Sequence, residues 1–196
     1  ITFRLLLPLN VFYWQKMIFY LIGVNVRIFI IYLFIYILCF FSYTMEQMFE
    51  VVSDVGNYYK FVPWCKKSVV KLKTPARLKA DLIVGFPPIN ESYTSNVSLV
   101  KPYLVKAECT DGKLFHHLLT LWRFSPGLKR EQQSCVVDFQ ITFEFRSAFH
   151  SHLSNLFFDQ VARQMEGAFI REVGKRHGPA KMQPINLLLN NQAIKS

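Results

Sequence analysis

One alternating strand followed by one long helix constrains the fold of this chain more than any other feature. From Ser134 to Phe145 apolar and polar residues alternate, which is typical of an antiparallel sheet with one apolar and one solvated face. The apolar positions of this strand are Cys135, Val137, Phe139, Ile141, Phe143 and Phe145. From Ala148 to Lys175 the period becomes helical, with one broad apolar stripe. Because such a helix packs on the concave face of a sheet, we expect an α+β fold with a curved antiparallel sheet around it.

The segment before this strand supplies the rest of the expected sheet. Thr44 to Gln47 fits a capping box that begins a short helix, and Pro63 ends a second short helix. The predicted strands, separated by Pro- or Gly-containing turns, are Ser68–Lys73, Arg77–Gly85, Asn90–Val100, Tyr103–Thr110 and one carrying Leu118 to Phe124. Gly178-Pro179 ends the long helix. The sequence therefore predicts one domain over residues 42–179 and a weakly structured tail at residues 180–196.

Residues 1–41 form an apolar extension before this domain. Met17 to Phe41 carries one charge, on Arg27, and is long enough for a membrane-spanning helix. The segment is also dominated by Ile, Phe, Tyr and Leu, whose codons are rich in A and T. Two interpretations therefore stay open: a membrane segment, or translated non-coding sequence.

The composition favours binding of apolar or anionic molecules over catalysis. Nineteen Phe and nine Tyr can line an apolar pocket, and a net charge of +10 favours a phospholipid surface or a nucleic acid as partner. No nucleophile-elbow or phosphate-loop motif occurs. Adjacent His116 and His117 would point to opposite faces of a strand, so they make a poor metal site. The four cysteines are not spaced as a zinc site or a disulfide framework, which favours reduced thiols and an intracellular compartment.

Several segments resemble the family of mitochondrial coenzyme Q-binding proteins, within the polyketide cyclase/START-like superfamily. The matching segments are Tyr58–Ser68, Val84–Pro88, Leu99–Pro102, Cys109–Gly112, Leu121–Gly127, Phe143–Leu153 and Leu156–Phe169. The resemblance implies a helix-grip (START-like) fold with an apolar tunnel. It implies a lipid chaperone, not an enzyme, that binds ubiquinone as its ligand, needs no other cofactor, and serves respiratory electron transport and ubiquinone biosynthesis.

The resemblance also implies a location and a set of partners. The location is the mitochondrion, on the matrix side of the inner membrane. The partners are ubiquinone, inner-membrane lipids and the quinone-biosynthesis or respiratory complexes, with no nucleic acid. Residues 1–41 stand where the family has a transit peptide and the first strand of the sheet. We therefore expect an unpaired sheet edge, which is a liability for a β protein.

The candidate ligand-binding residues come from the matching segments and the apolar faces. They are Phe61, Trp64, Phe86, Pro87, Leu99, Val100, Lys101, Pro102, Trp122, Phe139, Ile141, Phe143, Phe157, Val161 and Met165. Phe86 and Pro88 of an apolar loop, with Lys66 and Lys67, are predicted to contact the membrane. The inward positions are almost all hydrocarbon, and Glu144 faces the solvated side of its strand, so no catalytic or metal-binding residue is assigned. The polar residues of the long helix that are placed away from its apolar stripe are His152, Asp159, Arg163 and Glu166.

Two alternative functions stay open at this stage. A cyclase-like enzyme would need a polar pair inside the cavity. A ribosome- or RNA-binding protein is suggested by the basic segment from Lys66 to Lys79. Salt-dependent retention on RNA would favour the second alternative.

Overall fold

An antiparallel sheet that curves around one long helix forms the domain. The computed structural model describes residues 18–20, 30–86, 89–109, 111, 115–129, 133–145 and 154–187. Its strands are β1 Ile18–Tyr20, β2 Ile30–Phe41, β3 Cys65–Lys73, β4 Arg77–Phe86, β5 Ile89–Val100, β6 Leu104–Cys109, β7 Phe115–Pro126, β8 Cys135–Phe145 and β9 Ile185–Asn186. Its helices are α1 Met45–Ser53, α2 Tyr58–Phe61 and α3 Ser154–His177, with a 3-10 turn at Val55–Asn57.

The long strands pair in the order β2-β8-β7-β6-β5-β4-β3, and every neighbouring pair is antiparallel. The short strands β1 and β9 pair with the other edge of β2. Because β3 to β8 form a meander, their connections alternate between the two ends of the sheet. The β4–β5 and β6–β7 connections lie at the end that we call the Phe86 end. The β3–β4, β5–β6 and β7–β8 connections lie at the opposite end, which we call the α1 end because β2 leads from there into α1.

The first strand of the sheet is present, which corrects the expectation that residues 1–41 replace it. β2 pairs with β8 continuously from Tyr32 opposite Glu144 to Phe41 opposite Cys135. A run of Ile, Phe and Tyr cannot be assigned to helix or strand by periodicity alone, and these residue types favour strands when an open edge is available. The sheet therefore begins before residue 42. Among the described residues, no helix is both long and apolar enough to cross a membrane.

The first helix begins where its capping box predicts. The Thr44 hydroxyl accepts a hydrogen bond from the Gln47 N–H at 3.3 Å, and the Gln47 side chain accepts one from the Thr44 N–H at 2.9 Å. These bonds satisfy two of the N–H groups that a helix start leaves without partners. The predicted inward face is confirmed, since Met45, Met48, Phe49 and Val52 are all buried. α1 thus packs one apolar face into the domain.

The carboxyl-terminal half of α3 is fixed to the domain by apolar and ionic contacts. Phe169 and Val173 are buried. Arg176 Nη1 lies 2.8 Å from Asp54 Oδ2, and its Nε donates to Glu172 Oε1 at 2.9 Å. The helix ends at His177, two residues beyond the predicted Lys175, and the predicted terminator Gly178 follows directly with a left-handed φ of 90° that other residues rarely adopt. These contacts hold α3 across the concave face of the sheet near the α1 end.

Candidate ligand-binding site

Three aromatic side chains pack against Phe169 of α3 and join the helix to the sheet and to α2. The Phe169 ring centroid lies 4.9 Å from that of Trp122 and 5.4 Å from those of both Tyr58 and Phe61. Trp122 in turn packs on Phe139 of the neighbouring strand, with ring centroids 4.1 Å apart. Edge-on and tilted ring pairs at these distances add to the free energy of apolar burial. The structure thus brings together three predicted ligand-binding residues, Phe61, Trp122 and Phe139.

A small apolar cavity remains beside this cluster. Its volume is about 10 Å³, which is room for about one water molecule. It is lined by Phe41, Met48, Trp122, Val137, Phe139, Glu166, Phe169 and Ile170. The described side chains therefore leave little free space at this place, between Met48 of α1, Trp122 and Phe169. A tunnel of a few hundred Å³ stays a prediction for the part of the interior that lies outside the described residues.

Glu166 faces the interior, which corrects its predicted place away from the apolar stripe. Its Oε1 accepts a hydrogen bond from the Cys39 thiol at 3.5 Å. Burial, followed by the nearby Glu166 carboxylate, raises the pKa of Cys39. Sequence reasoning missed this pair because it did not place Cys39 on a strand of the sheet. A usable signal existed, because Glu166 precedes Phe169 by three residues and Val173 by seven, the spacing of one helix face.

The remaining predicted residues fall into three groups. Met165 and Leu99 are partly buried and pack against the core, and Ile141 is buried. Val100 instead ends β5 at the α1 end and is 52% exposed, and Lys101, which is exposed, and Pro102 lie in the turn that follows it. The structure does not bring this turn to the aromatic cluster. The roles of the third group stay predictions, because the structure does not describe these residues or does not describe their side chains. They are Phe86, Pro87, Pro88, Phe143, Phe157 and Val161.

Trp64, Lys66 and Lys67 lie together where α2 leads into β3. Trp64 has a φ of 60°, which is uncommon for a bulky residue. Its carbonyl accepts a hydrogen bond from the Gly85 N–H at 2.9 Å, which ties this turn to the end of β4. Lys66 and Lys67 are exposed, and the Lys66 ammonium donates to Asn90 Oδ1 at 3.1 Å. These three residues therefore belong to the Phe86 end of the sheet.

Burial favours the neutral forms of the phenols and thiols of the interior. Burial raises the pKa of Tyr58, whose hydroxyl donates to the Val52 carbonyl. Burial also raises the pKa of Tyr93, of Cys65 to about 11 and of Cys135 to about 12. A buried neutral phenol or thiol is a poor base or nucleophile near neutral pH. The described residues contain no cluster of metal-ligating side chains. This arrangement can hold an apolar molecule with few polar contacts.

The relatives of this chain include coenzyme Q-binding proteins and a ribosome association toxin. Coenzyme Q-binding protein COQ10, mitochondrial, from Drosophila melanogaster is 56% identical over 142 residues, covering 72% of this chain and 59% of that protein. The corresponding protein of Schizosaccharomyces pombe is 32% identical over 139 residues, covering 69% of this chain and 83% of that protein. Ribosome association toxin RatA of Escherichia coli is 29% identical over 127 residues, covering 65% of this chain and 78% of that protein. The chain thus spans 59% of the length of the Drosophila relative.

Solved structures share the same architecture. A START superfamily protein from Mycobacterium smegmatis superposes with a TM-score of 0.61 at 12% identity, covering 72% of this chain and 97% of that protein. Norcoclaurine synthase from Thalictrum flavum, in complex with dopamine and hydroxybenzaldehyde, superposes with a TM-score of 0.56 at 15% identity. The superposition covers 83% of this chain and 98% of that protein. These likenesses confirm the predicted helix-grip fold.

A family model described as polyketide cyclase / dehydrase and lipid transport matches residues 41–170. The match spans the sheet from the end of β2, together with most of α3. The resemblance inferred from the sequence is thereby confirmed, and this chain belongs to the polyketide cyclase / dehydrase and lipid transport family.

Proposed function

We propose that this chain binds ubiquinone between the concave face of the sheet and α3 and carries it as a lipid chaperone. The observation that carries the proposal is the chemistry of the cavity lining. Seven of its eight residues are apolar or aromatic, and Glu166 is the one polar residue. The names of the coenzyme Q-binding relatives support the same ligand. The candidate contacts are the predicted residues on the concave face, among them Trp122, Phe139 and Met165.

The energetics of this site suit a carrier. Burial of an isoprenoid tail contributes about 0.8 kcal/mol for each methylene-sized group, whereas the ring offers few hydrogen bonds. Because a carrier must also release its ligand, we expect moderate affinity and a mobile entrance. The neutral phenols and thiols of the interior provide no charged acid–base pair. We therefore propose that the chain acts as a binding protein, not as an enzyme, and needs no cofactor besides its ligand.

The place of action that we propose is the mitochondrion, on the matrix side of the inner membrane. The relatives from Drosophila and fission yeast carry the word mitochondrial in their names. A net charge of +10 suits a surface rich in anionic phospholipids. There the chain would take up ubiquinone from inner-membrane lipids and deliver it to respiratory or quinone-biosynthesis complexes.

The test is to extract the purified chain with organic solvent and quantify the released quinone by mass spectrometry. We expect ubiquinone in a ratio approaching one molecule per chain after loading with excess ubiquinone and removal of the unbound fraction. A folded chain that releases none would refute the proposal. Bovine serum albumin carried through the same procedure controls for non-specific retention.

Ribosome binding is a second candidate, supported by the likeness to RatA and by exposed lysines on β3 and β4. The lower identity to RatA than to the coenzyme Q-binding proteins makes it the less favoured candidate. Sedimentation of the chain with ribosomes at low and high salt separates the two, since a quinone carrier should remain in the supernatant at physiological salt.

A further inference from the structure

We propose that the segment Tyr59–Lys67, at the Phe86 end of the sheet, docks this protein on an anionic phospholipid surface. We call it the docking segment. The inference rests on the proposed function, because a quinone carrier must exchange its ligand with a bilayer. It extends the predicted membrane contact at Lys66 and Lys67 to α2 and to the turn that follows it.

A β-bulge places the two adjacent lysines of the segment on the surface together. Cys65 pairs with Val84 and Lys67 pairs with Ile83, so Lys66 is the extra residue of the bulge. In a regular strand two consecutive side chains point to opposite faces, and one of these lysines would face the core. Instead both are exposed, between buried Cys65 and buried Ser68. The bulge therefore directs two cations to the solvent at one point of the sheet edge.

The chain closes tightly around Lys66. A Cβ atom at position 85 would come within 2.3 Å of Lys66 Cε, so the glycine there lets the Lys66 side chain lie against β4 in this conformation. The Lys66 ammonium then reaches Asn90 Oδ1, across the β4–β5 hairpin. Within the described residues, neither Lys66 nor Lys67 forms an ion pair. Both charges are thus available to an external anion.

Aromatic side chains of the same segment accompany the lysines. Tyr59 is 50% exposed, and the ammonium of exposed Lys60 lies 5.6 Å from its ring centroid. Trp64 follows on the left-handed turn and is half-buried. Tyr and Trp are enriched at membrane–water interfaces, because one end of each ring system is apolar and the other is polar. The segment carries three lysines and no acidic residue, which complements an anionic headgroup layer.

The location of the segment favours a bilayer over a nucleic acid. The cavity beside Met48 of α1 has room for about one water molecule. A ligand would therefore enter from the Phe86 end, and docking there would present the entrance to the lipid. Strand β5 has 12 residues, so at about 3.3 Å per residue the two ends of the sheet lie about 40 Å apart, several times the screening length at physiological salt. Single-stranded nucleic acids bind successive exposed aromatics, whereas Tyr59 is the one strongly exposed aromatic among the described residues of this segment.

The test is co-sedimentation of the full chain with phosphatidylcholine vesicles with and without cardiolipin. The variant K60Q/K66Q/K67Q removes three charges from the docking segment. The matched control K73Q/R77Q/K79Q removes three exposed charges from the other end of the β3–β4 hairpin. Each lysine near an anionic surface contributes about fivefold to partitioning, so the first variant should bind cardiolipin vesicles about 100-fold more weakly. The control should lose less than about threefold, because its charges lie beyond the screening length.

Equal losses in the two variants, a loss in the control alone, or unchanged binding of K60Q/K66Q/K67Q would each overturn the proposal. If K60Q/K66Q/K67Q keeps its vesicle affinity but loses salt-sensitive binding to polyuridylate, the proposal is likewise overturned, and RNA is indicated as the partner. Circular dichroism verifies the fold of both variants. Binding of a short-tail ubiquinone without vesicles should be unaltered in both. If the unaltered chain fails that second assay, the proposed function fails, whatever the vesicle result.

Discussion

Truncation of Phe169 to alanine tests whether α3 is packed on the sheet as described. Phe169 is 2% exposed, and its ring centroid lies 4.9 Å from Trp122 and 5.4 Å from Tyr58. Removal of a buried phenyl ring costs about 3–5 kcal/mol, through lost apolar burial and the cavity that remains. For a chain of this size each kcal/mol lowers the melting temperature by about 2–4 °C. We therefore expect a fall of roughly 6–20 °C.

The assay is urea denaturation followed by circular dichroism, with thermal melting as a second measurement. The control is Leu72→Ala on β3, a residue that is 55% exposed and whose truncation should change stability by no more than about 0.5 kcal/mol. The dependence of unfolding free energy on urea should be unchanged in both variants. A loss below about 1 kcal/mol for Phe169→Ala would contradict the packing, because that value is typical of an unremarkable substitution.

Three further predictions follow from the same structure. Arg176→Met leaves the Asp54 carboxylate without its cation and should lower the free energy of unfolding by about 1–3 kcal/mol, measured by urea denaturation, with Arg176→Lys losing less. Desolvation raises the pKa of Asp111, whereas hydrogen bonds from the Thr94 N–H and the Cys109 thiol lower it. The hydrogen bonds have the larger effect, so the pKa of Asp111 lies below its ordinary value. Asp111→Asn should therefore cost stability near neutral pH, and this difference should vanish in pH-dependent melts as acid protonates the native carboxyl. Val161→Glu should abolish quinone extraction from a chain with native circular dichroism, because an unpaired buried carboxylate is costly; undiminished extraction would count against the predicted tunnel.

The sequence predicted the elements whose residue pattern is unambiguous. The alternation of Cys135, Val137, Phe139 and Ile141 identifies β8, and all four side chains are buried. The capping box at Thr44 likewise marks the start of α1. In both cases the pattern of neighbouring residues in the sequence already predicts the burial or the hydrogen bonds that the structure shows. No information from distant residues is therefore needed.

The features that sequence reasoning missed depend on distant partners. The apolar run of β2 becomes a strand because β8 offers it an edge, and nothing within residues 30–41 decides between a strand and a membrane helix. The pairing of Glu166 with the Cys39 thiol depends on β2 lying opposite α3, whereas the inward position of Glu166 is already indicated by its helical spacing from Phe169. The bulge at Lys66 is a property of the pairing between β3 and β4, so it is visible in the register and not in the order of residues.

Quenching of Trp122 fluorescence by a quinone tests most directly whether the ligand lies between the sheet and α3. Trp122 lines the described cavity, and replacing Trp14 and Trp64 by phenylalanine leaves it as the single reporter. Titration with a short-tail ubiquinone should give saturable quenching with a stoichiometry of one per chain. Linear quenching of the same strength as that of free tryptophan, in a folded chain, would contradict ubiquinone binding at this site.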